Sequence, residues 1–268
     1  MRKIWTLFAV FLALFTFITF GDLRIGAEGA TASAWMTLML GVTSLAIVPL
    51  VKNGLPDKRC IGISLLLGLL VVIAGFGVHM SIHFGMLPLA VVTLLCALAM
   101  FSVFRAHPEQ ALRLLKNDSA QSAAGSVAIG LAVGIVCGGI NLFLSGEELR
   151  LRVTPAAFLV ALNPGVYEEI AFRAFLFAAC LYCLRGGVHS KTQHFTLWFM
   201  MIVPHVLIHT PDMFLEQGLI AGLGSILVLT ALFGMPFAVL QRKRDIISAM
   251  VAHGVVMVIR FSFLGIPV

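Results

Sequence analysis

Residues 154–184 read TPAAFLVALNPGVYEEIAFRAFLFAACLYCL. As a helix rising about 1.5 Å per residue, this stretch would cross a hydrocarbon core of about 30 Å. It is apolar almost throughout, yet its centre holds Glu168, Glu169 and Arg173. Each such residue costs about 2.5–3.5 kcal/mol at the middle of an inserted helix, roughly 8–10 kcal/mol for the three before they pair. Such a run is either the core helix of a soluble protein or a membrane span with a reason to carry ions.

Composition separates the two. The chain has 268 residues, 60% hydrophobic and 11% charged, against about 45–50% and about 25% in soluble domains. Eight further apolar runs lie near 4–20, 34–51, 60–78, 86–104, 127–144, 196–210, 218–240 and 246–266. The expected fold is therefore all-α: a polytopic membrane helical bundle of about nine transmembrane helices, or eight if one of the shorter runs does not cross. The first run follows Arg2 and Lys3 in the manner of a signal peptide, with ATASA (30–34) as a cleavage region. Its length and the distance to those small residues favour an uncleaved first span.

Charge tests the count. With the N-terminus cytoplasmic and sides alternating, the inside segments carry Arg2, Lys3, Lys52, Lys58, Arg59, Arg105, Arg113, Lys116, Arg185, Lys191, Arg242, Lys243 and Arg244. The outside segments carry Arg24, Arg150 and Arg152. Thirteen against three obeys the positive-inside rule. The net charge of +6 is thus topological, and with no basic stripe the chain has no nucleic-acid partner. The five cysteines sit in or beside apolar runs and imply no disulfide framework, the CxxC of Cys180 and Cys183 included. Residues 1–126 read as a four-span region closed by a cytoplasmic linker, in which PEQALRLLKND (108–118) suggests a short amphipathic helix. Residues 127–268 read as the core that carries the chemistry. The bilayer expected is the cell membrane, plasma or inner.

Glu169 and Arg173 stand at i, i+4 and share a helix face, so they can pair. Glu168 points elsewhere and needs a partner from another span. The run near 196–210 supplies His205, with His209 one turn on as a spare, and the last run supplies His253. Counted from the cytoplasmic ends, Glu168, His205 and His253 all fall near the middle of the membrane. His79, His83, His107, His189 and His194 lie in or beside loops. A carboxylate and imidazoles at one depth can hold and activate water for attack on a carbonyl, directly or through a metal ion. No HExxH places base and ligands on a single helix, so any base comes from another span, and Glu168 is the donor.

EEIAFR (168–173) resembles the EExxxR motif of the CAAX-protease and bacteriocin-processing family of intramembrane proteases, which includes the CAAX prenyl endopeptidases. That family's FxxxH and HxxxN/D motifs are similar to MIVPH (201–205) and HGVVM (253–257) here, with Met201 and Met257 as departures. The likeness covers roughly residues 155–265. It implies an intramembrane endopeptidase acting on a peptide or protein substrate at the bilayer, with access from the cytoplasmic side. Glu168 and His205 would activate water, Glu169 and Arg173 would support them, and His253 would stabilise the oxyanion or, with His205, bind a metal. It leaves zinc or metal-free catalysis open. Met257 cannot donate a hydrogen bond, which keeps a catalytically silent binding protein as the alternative, with a proton-coupled transporter behind it.

Overall fold

A computed structural model describes the chain except residues 22, 26–28, 78, 79, 267 and 268; of residues 80–85 it describes the backbone alone. His79 and the side chain of His83 lie outside the described residues. Among these residues there is no strand, and the helices join into nine rods. The first five are α1 (Arg2–Phe20), α2 (Ala30–Asn53), α3 (Lys58–Ala74, prolonged by a 3-10 turn Gly75–Gly77), α4 (Met80–Ala106) and α5 (Ala120–Ser145). The sixth runs without interruption through α6 (Pro155–Asn163), a π-helix (Pro164–Ala174) and α7 (Phe175–Cys183). α8 (Lys191–Leu207) follows. The eighth rod joins α9 (Pro211–Leu229), a second π segment (Thr230–Gly234) and α10 (Met235–Lys243), and α11 (Ile246–Leu264) ends the chain. Among the described residues, seven helices are long and apolar enough to cross a membrane. The other two rods carry Glu168 and His205: one holds three charges, and α8 has seventeen residues. The protein is an integral membrane protein with a polytopic helical bundle.

Polar residues start the helices where each span leaves the surface. Asp57, Ser119, Thr154, Ser190 and Asp245 each accept from a backbone N–H of the first turn, Ser190 in a full capping box with Gln193. Backbone N–H groups at a helix start have no partner within the helix, so these caps remove a desolvation cost at each membrane boundary.

Like ends of the rods meet. At the cationic end Arg59 pairs with Asp118 at 2.9 Å, Arg105 donates to the Asn53 carbonyl, and the Ile246 N–H donates to the Arg113 carbonyl. At the other end the Arg152 N–H donates to the Ser262 carbonyl, and the Asp212 N–H donates to the Thr31 hydroxyl. This is the sidedness that the charge distribution predicts.

One helix expectation fails. Residues 108–118 form no amphipathic helix: after a 3-10 turn, Pro108–Gln110, the linker runs irregularly to Ser119. Its backbone is used elsewhere. The carbonyls of Arg113 and Leu114 accept from the N–H groups of Ile246 and Ile247, and the Lys116 N–H donates to the buried carboxylate of Asp245. Those bonds finish the start of α11 and leave none for a helix. The 126/127 division falls inside α5, which begins at Ala120.

α5 and α11 pack in parallel along a glycine stripe. A Cβ on Gly130, Gly134 or Gly138 would lie 2.7 Å from the Ser248 carbonyl, 2.6 Å from the Ala252 carbonyl and 2.8 Å from Ile259 Cδ1. Small residues at i, i+4, i+8 let two backbones approach in lipid, where dispersion replaces the hydrophobic effect. Across α11, Gly165 of the π-helix meets Met250 and Gly254 in the same manner. α11 is thereby clamped on both sides, and His253 is fixed between the clamps.

Candidate active site

The EExxxR segment is not α-helical. It lies within the π-helix Pro164–Ala174, eleven residues that are all buried. A π-helix shifts its hydrogen bonds to i→i+5, which frees carbonyl groups, and it recurs at functional sites. Pro164, which lacks an N–H, sits at its start, where the ladder must change register anyway. The second π segment, Thr230–Gly234, lies on the facing rod, and its Phe233 borders the same cavity.

Glu168 and Glu169 are neighbours with different surroundings. Glu169 is fully enclosed. Arg173 Nη1 donates to its Oε1, the Gln241 amide donates to its Oε2 at 2.9 Å and to its carbonyl at 3.0 Å, and His253 Nδ1 lies 2.8 Å from Oε1. Phe237 completes the group: the Arg173 guanidinium lies 5.2 Å above its ring, and His253 stacks on that ring at 4.9 Å. Removing one partner from such a buried ion pair costs about 3–5 kcal/mol, because the other charge stays in a dry place.

Glu168 has imidazoles for partners. Its Oε2 lies 2.7 Å from His205 Nε2 and 3.7 Å from His253 Nε2. His205 is buried, and its Nδ1 has no hydrogen-bond partner. His209 Nε2 is 3.3 Å from His205 Nε2, and Trp35 of α2 presents an edge contact to His209 at 4.9 Å. The structure thus brings together Glu168, His205 and His253 from three rods, with Glu169 and Arg173 behind them. Gln241 and Phe237 escaped the sequence reading, because both sit in an apolar run next to the Arg242–Arg244 cations.

The metal-ligating set differs from the expected pair. Among the described residues, Glu168, His205 and His209 each offer a ligand atom, all within 4.8 Å of one another. His253 stands outside that trio, and its Nδ1 already faces Glu169. Ligands of a tetrahedral zinc ion at about 2.0–2.1 Å stand about 3.3 Å apart. The His205–His209 spacing of 3.3 Å fits that value.

A cavity of about 510 Å³ reaches Glu168, His205, His209 and His253, with Met257 and Asn141 also in its wall. Its lining residues on α9 and α11 run from Glu168 away from the cationic end. Toward that end, beneath the site, Gln241, Phe237, Asp245 and Ser126 are buried and Arg242 is stacked on Phe177 and Trp198. The cavity lies on the other side of Glu168.

Residues 150–259 match the family described as type II CAAX prenyl endopeptidase Rce1-like. The match begins before α6 and ends within α11, so it takes in Glu168, Glu169, Arg173, His205 and His253. No curated protein and no solved structure matches the chain.

Proposed function

We propose, from the premise that the chain belongs through residues 150–259 to the type II CAAX prenyl endopeptidase Rce1-like family, that it is an intramembrane endopeptidase hydrolysing a peptide bond of a membrane-associated or lipidated substrate. The family supports a protease acting at a membrane. The observation that carries the finer reading is the contrast between the two adjacent carboxylates. Glu169 is saturated by Arg173, Gln241 and His253, whereas Glu168 meets His205 at 2.7 Å on the wall of a cavity.

A water that approaches Glu168 and His205 from the cavity loses a proton to the Glu168 carboxylate while its oxygen attacks the scissile carbonyl carbon. The C–N bond then breaks, and Glu168 returns the proton to the leaving amine, so one water is added across the bond. Glu169 orients the His253 ring so that Nε2 faces the reacting atoms. An N–H at that nitrogen would donate to the oxyanion. Met257 lines the same cavity and donates nothing, but Asn141 of α5, outside the matched residues, lines it too and carries an amide. Asn141 is the donor that replaces the missing polar residue in this reading.

Glu168, His205 and His209 fit zinc by donor type, and the His205–His209 pair fits it by spacing. When bound there it would supply a Lewis acid for the carbonyl oxygen. Glu168 and His205 are needed in either case.

The test is a comparison of membrane proteomes between cells carrying the wild type and Glu168→Gln. The reading expects one or more membrane substrates to persist uncut in the variant. Identical cleaved termini in both would refute it.

A further inference from the structure

A groove between α1, α2, α7 and α8 lies apart from the cavity at Glu168 and shares no lining residue with it. It consists of two adjoining hollows of about 260 Å³ and about 90 Å³, joined at Leu7, Leu45, Leu176 and Met200. Together they follow α1 from Ile4 to Leu14. Ten helical residues span about 15 Å, half of a hydrocarbon core of about 30 Å and so the depth of one leaflet. The lining is almost wholly apolar. Its hydroxyls at Thr37 and Ser44 are satisfied within their own helix, by the carbonyls of Ser33 and Leu40 at 2.8 Å. At Gly41 a Cβ would meet nothing within 4 Å, so the groove is open there. A helix is about 10–12 Å across, too thick for a hollow of this volume, whereas a single hydrocarbon chain suits it.

The cytoplasmic mouth of the groove is basic. Lys3 precedes Leu7 by four residues and Lys52 follows Val48 by four, so on both helices the groove face ends in an ammonium group. Lys3 is also close enough to Cys183, at the same end of α7, to act on it electrostatically. Both lysines are exposed, and among the described residues neither makes an ion pair. α1, α2 and α7 carry no acidic residue. Asp57 and Asp118, which lie at this end too, already serve the cap of α3 and Arg59. Positive charge at the start of α1 opposes the helix dipole, which an anion there would relieve.

We propose that this groove binds one anionic phospholipid of the cytoplasmic leaflet, with its phosphate between Lys3 and Lys52 and one acyl chain along α1. The chain packs on Leu176, three residues after Arg173, and on Met200 and Pro204, which precede His205 on α8. A bound lipid therefore braces the two rods that carry Glu168 and His205.

Two measurements test it on the full chain, purified in a neutral detergent, with phosphatidylglycerol and phosphatidylcholine of the same acyl chains as probes. In the first, native mass spectrometry counts the lipid retained. The wild type is expected to hold one phosphatidylglycerol at concentrations where phosphatidylcholine leaves no adduct. Lys3→Gln/Lys52→Gln is expected to bind phosphatidylglycerol about ten- to thirtyfold more weakly, the effect of two surface cations on an anionic lipid. Gly41→Leu, whose side chain enters the open groove and suits a helix, is expected to lose both lipids. Equal retention of the two lipids by the wild type, or retention unchanged in Gly41→Leu, means bulk lipid only and overturns the site. Glycerol 3-phosphate offers the same anion without a chain, and displacement of the lipid by it would overturn the role of the groove. In the second, thermal unfolding is followed with and without lipid. Phosphatidylglycerol is expected to raise the unfolding temperature of the wild type and to leave that of Gly41→Leu unchanged. An equal rise in both overturns the proposal. Lys3→Gln/Lys52→Gln changes exposed residues alone, so it decides the headgroup site even where Gly41→Leu folds poorly. Neither measurement needs cleavage, so both are independent of the endopeptidase reading.

Discussion

The two halves of the bundle on either side of Glu168 are built to opposite rules. Toward the cationic end the buried charges have partners: Glu169 has Arg173, Gln241 and His253, Asp245 has Ser126 and the N–H groups of Lys116 and Ser248, and Arg242 stacks on two aromatic rings. Toward the acidic end polar side chains line a cavity, and His209 and Arg260 are exposed to it. The boundary passes between two consecutive residues. The satisfied half makes ions tolerable in lipid, and the open half leaves a carboxylate free to meet a substrate.

Substitutions on each side of that boundary should separate chemistry from stability. The largest effect is expected for Glu168→Gln in a cleavage assay, a loss of about 10²–10⁴ in kcat/KM, the range that a general base contributes. Asn141→Leu is expected to lower kcat by up to about 10²–10³, the loss seen when an oxyanion donor is removed, with little change in KM. Arg173→Met acts on the closed half: thermal unfolding in detergent is expected to show a loss of about 3–5 kcal/mol, because Glu169 keeps a buried charge. Gln241→Leu leaves a Glu169 oxygen without its donor and is expected to cost about 1–3 kcal/mol by the same measurement.

The smallest effect lies outside the membrane, at the cap of α3. The Cys60 N–H bonded to Asp57 holds that carboxyl below its ordinary range. A lowered folded-state value means that the cap stabilises above the unfolded carboxylate range and that the contribution is lost as pH falls through the folded value. Asp57→Ala should therefore lower the unfolding temperature slightly at pH 7, and the difference from wild type should close in acid.

Much of this was legible in the sequence, for identifiable reasons. Nine apolar runs became nine rods, because a span without water must satisfy its backbone internally and helices do so. Glu168, His205 and His253 could be placed at one depth because helical rise converts residue counts into distance. The boundary at Gly218 also fell at a structural break, since Gly218 has φ +85° and separates the first turns of α9 from the long part of its rod. Other features left no local trace. A π-helix differs from an α-helix by one hydrogen-bond step, which composition does not record. Gln241 is polar for the sake of a carboxylate 72 positions away. The linker at 108–118 has helical periodicity, but its carbonyls serve α11.

The central claim is that Glu168 serves chemistry and Glu169 serves structure. Thermal unfolding of Glu168→Gln and Glu169→Gln, purified side by side in one detergent, tests it most directly. The account predicts that Glu168→Gln unfolds with the wild type or slightly above it, while Glu169→Gln unfolds several degrees lower. Equal losses for both variants, or a loss confined to Glu168→Gln, would contradict it.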